Sequence, residues 1–145
     1  MSPSQKDWVL LALRNGPLDR IHLMKVLFLL WIRANRKIPG YFVFEPYLYG
    51  PFSLDVYSAL ADVQREGLVV QPPHPIQDWV PYYLTGKGER AAEEAAQSVD
   101  GHLLVLLGTI TAEIAPLNFY DLLRRVYREA PEFAARSLMR EIVEA

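Results

Sequence analysis

The sequence predicts an α+β fold, mainly helical: a winged helix (winged helix-turn-helix) with a C-terminal helical extension. Three observations lead to it. Two helical segments occupy the first 36 residues. A third, Leu54 to Glu66, runs into two short apolar stretches, Gly67-Leu68-Val69-Val70 and Trp79-Val80-Pro81-Tyr82-Tyr83-Leu84, joined by a Pro-rich tip. Beyond residue 100 the apolar periodicity is helical again. A chain of 145 residues, half of them hydrophobic, suits one domain with a tail. The expected division is 1–100 for the winged-helix domain and 101–145 for the extension, which is also the expected dimerisation element.

Each element has a local reason. The first helix spans about Ser4 to Asn15 and is stopped by Asn15-Gly16-Pro17, because Gly suits a left-handed C-terminal position and Pro cannot continue a helix. Asp19 can cap the second helix, which continues to about Arg36. Its core, residues 21–32, is apolar except for His22 and Lys25. That run falls short of the roughly 20 residues of a membrane span, so no membrane association is expected. The apolar run Trp8–Leu13 lacks a small-residue cleavage site, which argues against a signal peptide. With no cysteine in the chain, the expected location is cytoplasmic.

Pro39-Gly40 ends the second segment. Tyr41-Phe42-Val43-Phe44 reads as a strand or extended segment, and Gly50-Pro51 as a turn. Ser53 is placed to cap the third helix, with Asp55 in its first turn and Val56, Leu60 and Val63 facing the core. Gly67 ends it. The tip, Gln71 to Asp78, holds three prolines that remove three donors and discourage edge pairing. Thr85 is a good N-cap for the fourth helix. Gly86-Lys87-Gly88 lacks the preceding glycine of a phosphate loop and reads as that helix's opening turn. Leu103 to Ile114 is apolar on more than one side. It therefore calls for a second apolar surface, most simply that of a homodimer. Asn118 and Asp121 start a sixth helix, and Pro131 opens a last one with Phe133, Leu138 and Ile142.

At Tyr47-Leu48-Tyr49-Gly50-Pro51-Phe52-Ser53, with Asp55-Val56-Tyr57 behind it, the chain resembles small prokaryotic winged-helix proteins and the Panacea-type antitoxin domain. Those sequences also share an apolar helix with an embedded lysine, here Leu23-Met24-Lys25-Val26-Leu27-Phe28. The Gly67-Leu68-Val69 exit and Tyr83-Leu84-Thr85-x-x-Gly88 are similar to the wing and following helix of MarR- and PadR-like regulators. Val126 to Phe133 resembles a tyrosine-proline segment of the first group. The resemblance covers about Leu18 to Gly88 plus that tail. It implies either transcription regulation or an antitoxin-like role.

Charge bears on that choice. Residues 1–50 carry seven Lys/Arg against three Asp/Glu, whereas residues 51–115 carry three against nine. The outward face expected for the third helix is Asp55, Ser58, Ala59, Asp62, Arg65 and Glu66. It is acidic where double-stranded DNA would require cations. Lys25, Arg33 and Arg36 fall on one stripe of the second helix with His22 and Leu29, and Lys37 extends it. The stripe reads either as the solvated face of a buried helix or as a phosphate or acidic-partner contact. The candidate DNA contacts are therefore Lys25, Arg33, Arg36, Lys37, Ser58, Arg65 and His74. The residues expected to fix the architecture are Tyr49, Gly50, Pro51, Ser53 and Thr85. His22, His74 and His102 are widely spaced, and no ligand-pair spacing, nucleophile elbow or phosphate loop occurs. No catalysis, metal or cofactor is expected. Two functions follow. One is a DNA-binding transcriptional regulator. The other is a non-enzymatic protein-interaction module, antitoxin- or adaptor-like, whose anchors would come from Tyr41, Phe42, Phe44, Tyr47, Tyr49, Phe52 and Tyr57.

Overall fold

A computed structural model describes residues 2–76 and 79–139. It is α+β and mainly helical. The elements are α1 (Gln5–Arg14), α2 (Arg20–Arg33), β1 (Glu45–Tyr47), β2 (Gly50–Phe52), α3 (Leu54–Arg65), β3 (Val69–Val70), β4 (Tyr83–Leu84), α4 (Gly86–Ala96), α5 (Gly101–Ile114), α6 (Phe119–Glu129) and a 3₁₀ turn, Pro131–Ala134. Among the described residues no helix is long and apolar enough to cross a membrane.

Helix α2 is the centre. Every residue from His22 to Leu30 is buried, because α5, α6 and α1 surround it while α3 and α4 pack on α1. One core therefore includes residues from both sides of position 100. Local chemistry sets the helix starts. The Ser4 hydroxyl accepts from Asp7 N–H and the Asp7 carboxylate accepts from Ser4 N–H, completing a capping box. Asp19, Thr85, Asp100 and Asn118 cap α2, α4, α5 and α6 in turn.

Several expectations need correction. Helix α2 ends at Arg33 rather than Arg36, because Asn35 and Arg36 both take left-handed backbone angles, φ 58° and 59°. Tyr41 to Phe44 is not a strand. Tyr41, Phe42 and Phe44 are all buried with only Val43 turned out, a pattern that two-residue alternation cannot supply. The strand is the next segment: β1 pairs antiparallel with β2, Glu45 opposite Phe52 and Tyr47 opposite Gly50. Gly50 and Pro51 thus lie in a strand, and the turn is Leu48-Tyr49. Pro46 faces Pro51 in this register, so neither residue has a donor to leave unpaired. Ser53 stands at the start of α3, but its hydroxyl makes no capping bond and, among the described residues, is buried without a partner. Ala59, expected to face outward, is buried.

The strands β3 and β4 pair antiparallel over only two residues each, shorter than the apolar stretches suggest. Pro81, with no N–H, interrupts the second stretch. Tyr82 instead donates its N–H to the Leu18 carbonyl at 2.8 Å and forms an isolated antiparallel bridge with that residue. Of residues 103–107 in α5 only Val105 is largely exposed, and Leu103, Leu104 and Leu106 pack against the core within the one chain. The last helix is a 3₁₀ turn in its described part, and Ile142 lies outside the described residues.

Candidate functional site: a lysine at the foot of an aromatic cavity

Residues 34–53 separate α2 from α3 and fold the β1–β2 hairpin against them. A cavity of about 440 Å³ opens where these elements meet. Its walls are Arg20, Ile21, Met24 and Lys25 of α2, Tyr47 to Phe52 of the hairpin without Leu48, and Tyr57 of α3, closed by Trp79 and Phe119. Two ring clusters flank it. Phe119 touches Tyr49, Trp79 and Tyr120 at centroid distances of 5.6–5.9 Å. Phe52 touches Tyr47 and Tyr57, each at 5.3 Å. Tyr47, Tyr49, Trp79 and Tyr120 remain 41–51% exposed.

Lys25 is the one buried ammonium of this region, 5% exposed. Among the described residues it makes no hydrogen bond or ion pair. Burial pulls its pKa from 10.5 down to about 8, opposed only by the charge of Asp19. It was expected on a solvated stripe, and its place at the foot of the cavity is a correction. The apolar run that contains it was the one signal of this burial.

Gly50 keeps the space beside it. A Cβ there would lie 3.3 Å from Lys25 Cε and 3.1 Å from Leu123 Cδ2, and φ is +97°. Gly50→Ala is expected to cost roughly 1–2 kcal/mol from the left-handed backbone alone, whereas Pro51→Ala should cost less than about 1 kcal/mol. Urea denaturation of both variants checks the order.

His22, one turn before Lys25, is held from both sides. Its Nδ1 lies 2.7 Å from Asp19 Oδ2, and its Nε2 lies 2.7 Å from the Leu117 carbonyl oxygen. Both neighbours are acceptors, so the doubly protonated ring satisfies both. Burial works against that charge, but Asp19 and the carbonyl outweigh it and raise the pKa above 6.5. The signs of the two neighbours oppose. Stability from His22 is complete below pH 6.5 and is lost as pH rises through its raised folded-state pKa. Lys25 has a lowered pKa, so the unfolded state binds more protons and stability should recover between about pH 8 and 10.5. Denaturation midpoints measured across this range should fall and then rise. His22→Gln should remove the fall and leave the rise.

The remaining candidate DNA contacts do not come together. Arg33 is half-buried and bonds Glu129 at 2.8 and 2.9 Å and Glu113 at 2.9 Å. Arg36 pairs with Glu132 and lies over the Trp31 ring at 5.2 Å. Arg65 pairs with Asp62, one turn earlier on α3, at 2.8 Å. His74 accepts from the Ile76 N–H at 3.0 Å in the tip. Lys37 is exposed in the segment after α2, and Ser58 is exposed on α3. Arg124 pairs with Asp121 and Arg125 with Glu113. Of the cavity residues, Arg20, Ile21, Trp79 and Phe119 carry no local signal in the sequence that would have joined them to Gly50.

No family model, no curated protein and no solved structure matches this chain.

Proposed function

We propose that the chain is a non-enzymatic protein-interaction module on a winged-helix scaffold, antitoxin- or adaptor-like rather than a reader of DNA. The observation that carries this reading is the set of half-exposed Tyr47, Tyr49 and Trp79 lining one cavity, with half-exposed Tyr120 against Phe119 of its wall. Tyr and Trp are the favoured anchors of protein interfaces, since they bring large area at small entropic cost. The winged-helix assignment is supported by the antiparallel β3–β4 pair after α3, and by the bridge from Leu18, between α1 and α2, to Tyr82 beside β4. The β1–β2 hairpin is inserted between α2 and α3, where a helix-turn-helix has a short turn.

The cations argue the same way. A DNA reader gains affinity by neutralising phosphates. Here Arg33, Arg36 and Arg65 are already neutralised by carboxylates of their own chain, and Lys25 is buried. The test has two arms. Genomic DNA fragments titrated in low salt should not bind. Immobilised protein should retain a cellular protein that a folded Tyr49→Ser/Trp79→Ser variant fails to retain. DNA binding in low salt, with a salt slope of about 0.9 per phosphate contact, would restore the regulator reading. Retention unchanged in the double variant would remove the aromatic set from the interface.

A further inference from the structure

We propose that the cavity between α2, the hairpin and α3 is a binding site for a small organic carboxylate with a flat apolar body, its carboxylate resting on the Lys25 ammonium. The site goes beyond the protein-interaction reading and does not depend on it, since its floor is buried and the proposed interface is the exposed rim.

Four observations define the ligand. The first is size: about 440 Å³ is far more than a water molecule needs and within the range of small-molecule sites. The second is charge. Lys25 brings an ammonium to the cavity, and among the described lining residues there is no Asp or Glu to meet it. Asp19, whose carboxylate charge acts on it, accepts hydrogen bonds from the His22 ring and backbone. A buried ammonium without a partner is costly, and a bound anion removes that cost. The third is the kind of anion. Arg20 at the edge lies over the Tyr57 ring at 5.4 Å and has partners of its own. That leaves a single ammonium, which suits a monoanionic carboxylate better than a phosphate needing several donors. The fourth is shape. Ile21, Met24, Phe52, Tyr57 and Phe119 form apolar and aromatic walls that accept a flat hydrocarbon body. Gly50, with no side chain, leaves the approach to Lys25 open.

Titration of the full chain by two-dimensional ¹H–¹⁵N NMR tests this with phenylacetate as the probe. Phenylacetamide serves as the neutral isostere and N-acetyl-Phe-Glu-amide as a peptide-borne carboxylate. Phenylacetate is expected to shift the Gly50 and Tyr57 amides and the Trp79 indole saturably, with an affinity near the millimolar level usual for so small a ligand. Phenylacetamide should bind at least about tenfold more weakly. Lys25→Met, which keeps the side-chain volume and removes the buried charge, should weaken phenylacetate by the same factor. The amide arm needs only wild-type protein, so the comparison stands even if the variant does not fold. Equal binding of acid and amide would overturn the proposal. So would no saturation by about 50 mM, far above the expected affinity, or binding of the peptide without the free acid.

Discussion

Gly88→Ala is expected to destabilise the protein by about 3 kcal/mol or more, at the upper end of what overpacking a close contact costs. The reason is the knot that joins α3, β3 and α4. Helix α4 begins directly against the chain leaving α3. Thr85 N–H donates to the Leu68 carbonyl at 3.0 Å, and the Thr85 hydroxyl donates to the Gly67 carbonyl at 2.7 Å. The same hydroxyl accepts from Gly88 N–H at 3.0 Å, and the Lys87 ammonium reaches the Glu66 carbonyl at 3.1 Å. This brings the Gly88 backbone so close to β3 that a Cβ would lie 1.9 Å from the Leu68 oxygen and 2.9 Å from its carbonyl carbon. Both are backbone atoms, so no rotamer change can relieve the clash. Either α4 moves off or the β3–β4 pair breaks. Gly86→Ala is the control. Its Cβ would meet only Arg90 at 3.7 Å, and removing a helical glycine should gain up to about 1 kcal/mol. Urea denaturation of the two variants should give changes of opposite sign. A loss below about 1 kcal/mol for Gly88→Ala would mean that α4 can shift without penalty, contrary to the overpacking argument.

The knot also shows which parts of the fold are legible in the sequence. Thr85 is legible as a cap, and it caps α4; the close approach of Gly88 to Leu68 is a packing relation that the local pattern does not state. The caps at Asp19 and Asn118 and the stop at Gly67 are as local as the Thr85 cap, and each falls where its chemistry places it. Ser53 is the exception among the expected caps. Burial directs its hydroxyl away from the α3 amides, an effect of tertiary packing that local pattern does not contain.

The cavity depends almost wholly on such distant relations. Lys25 on a helical wheel shares a stripe with Arg33 and Arg36, so spacing places all three on an exposed stripe, solvated or free to meet a phosphate or an acidic partner. What separates them is what meets each side chain: Gly50 of the hairpin lies against Lys25, whereas the carboxylates of Glu113 and Glu129 on α5 and α6 meet Arg33. Glu129 stands 96 positions from Arg33, and no periodicity links them. The one local clue, a lysine inside an otherwise apolar run, points to burial but not to a cavity. The aromatic residues from Tyr41 to Tyr57 were visible as a group. Their division was not: Tyr41, Phe42 and Phe44 enter the core, whereas Tyr47 and Tyr49 stay half exposed.

That division makes Phe28 the second position of large expected effect. Phe28→Ala should cost about 4 kcal/mol, the usual range for emptying a large aromatic site in a core that cannot collapse. Phe28 is fully buried on α2. Its ring meets Phe133 at 4.7 Å, Phe44 at 5.2 Å and Trp31 at 6.0 Å, the first two edge to face. Those neighbours come from α2, the segment before the hairpin and the 3₁₀ turn after α6, so one ring ties three separated parts of the chain. The hairpin has few other anchors on that side: the 3₁₀ turn against β1 and β2, and the Leu138 N–H donated to the Leu48 carbonyl at 2.9 Å. The loss should therefore be uneven. Amides of residues 41–52 should exchange with solvent faster than those of α1 and α3, while the global transition falls by the full amount. Phe28→Leu, which keeps most of the volume, should recover more than half of both effects. If exchange quickens uniformly across the chain, the hairpin does not depend on the aromatic cluster, and its contacts with α2, α6 and the 3₁₀ turn hold the cavity wall without it.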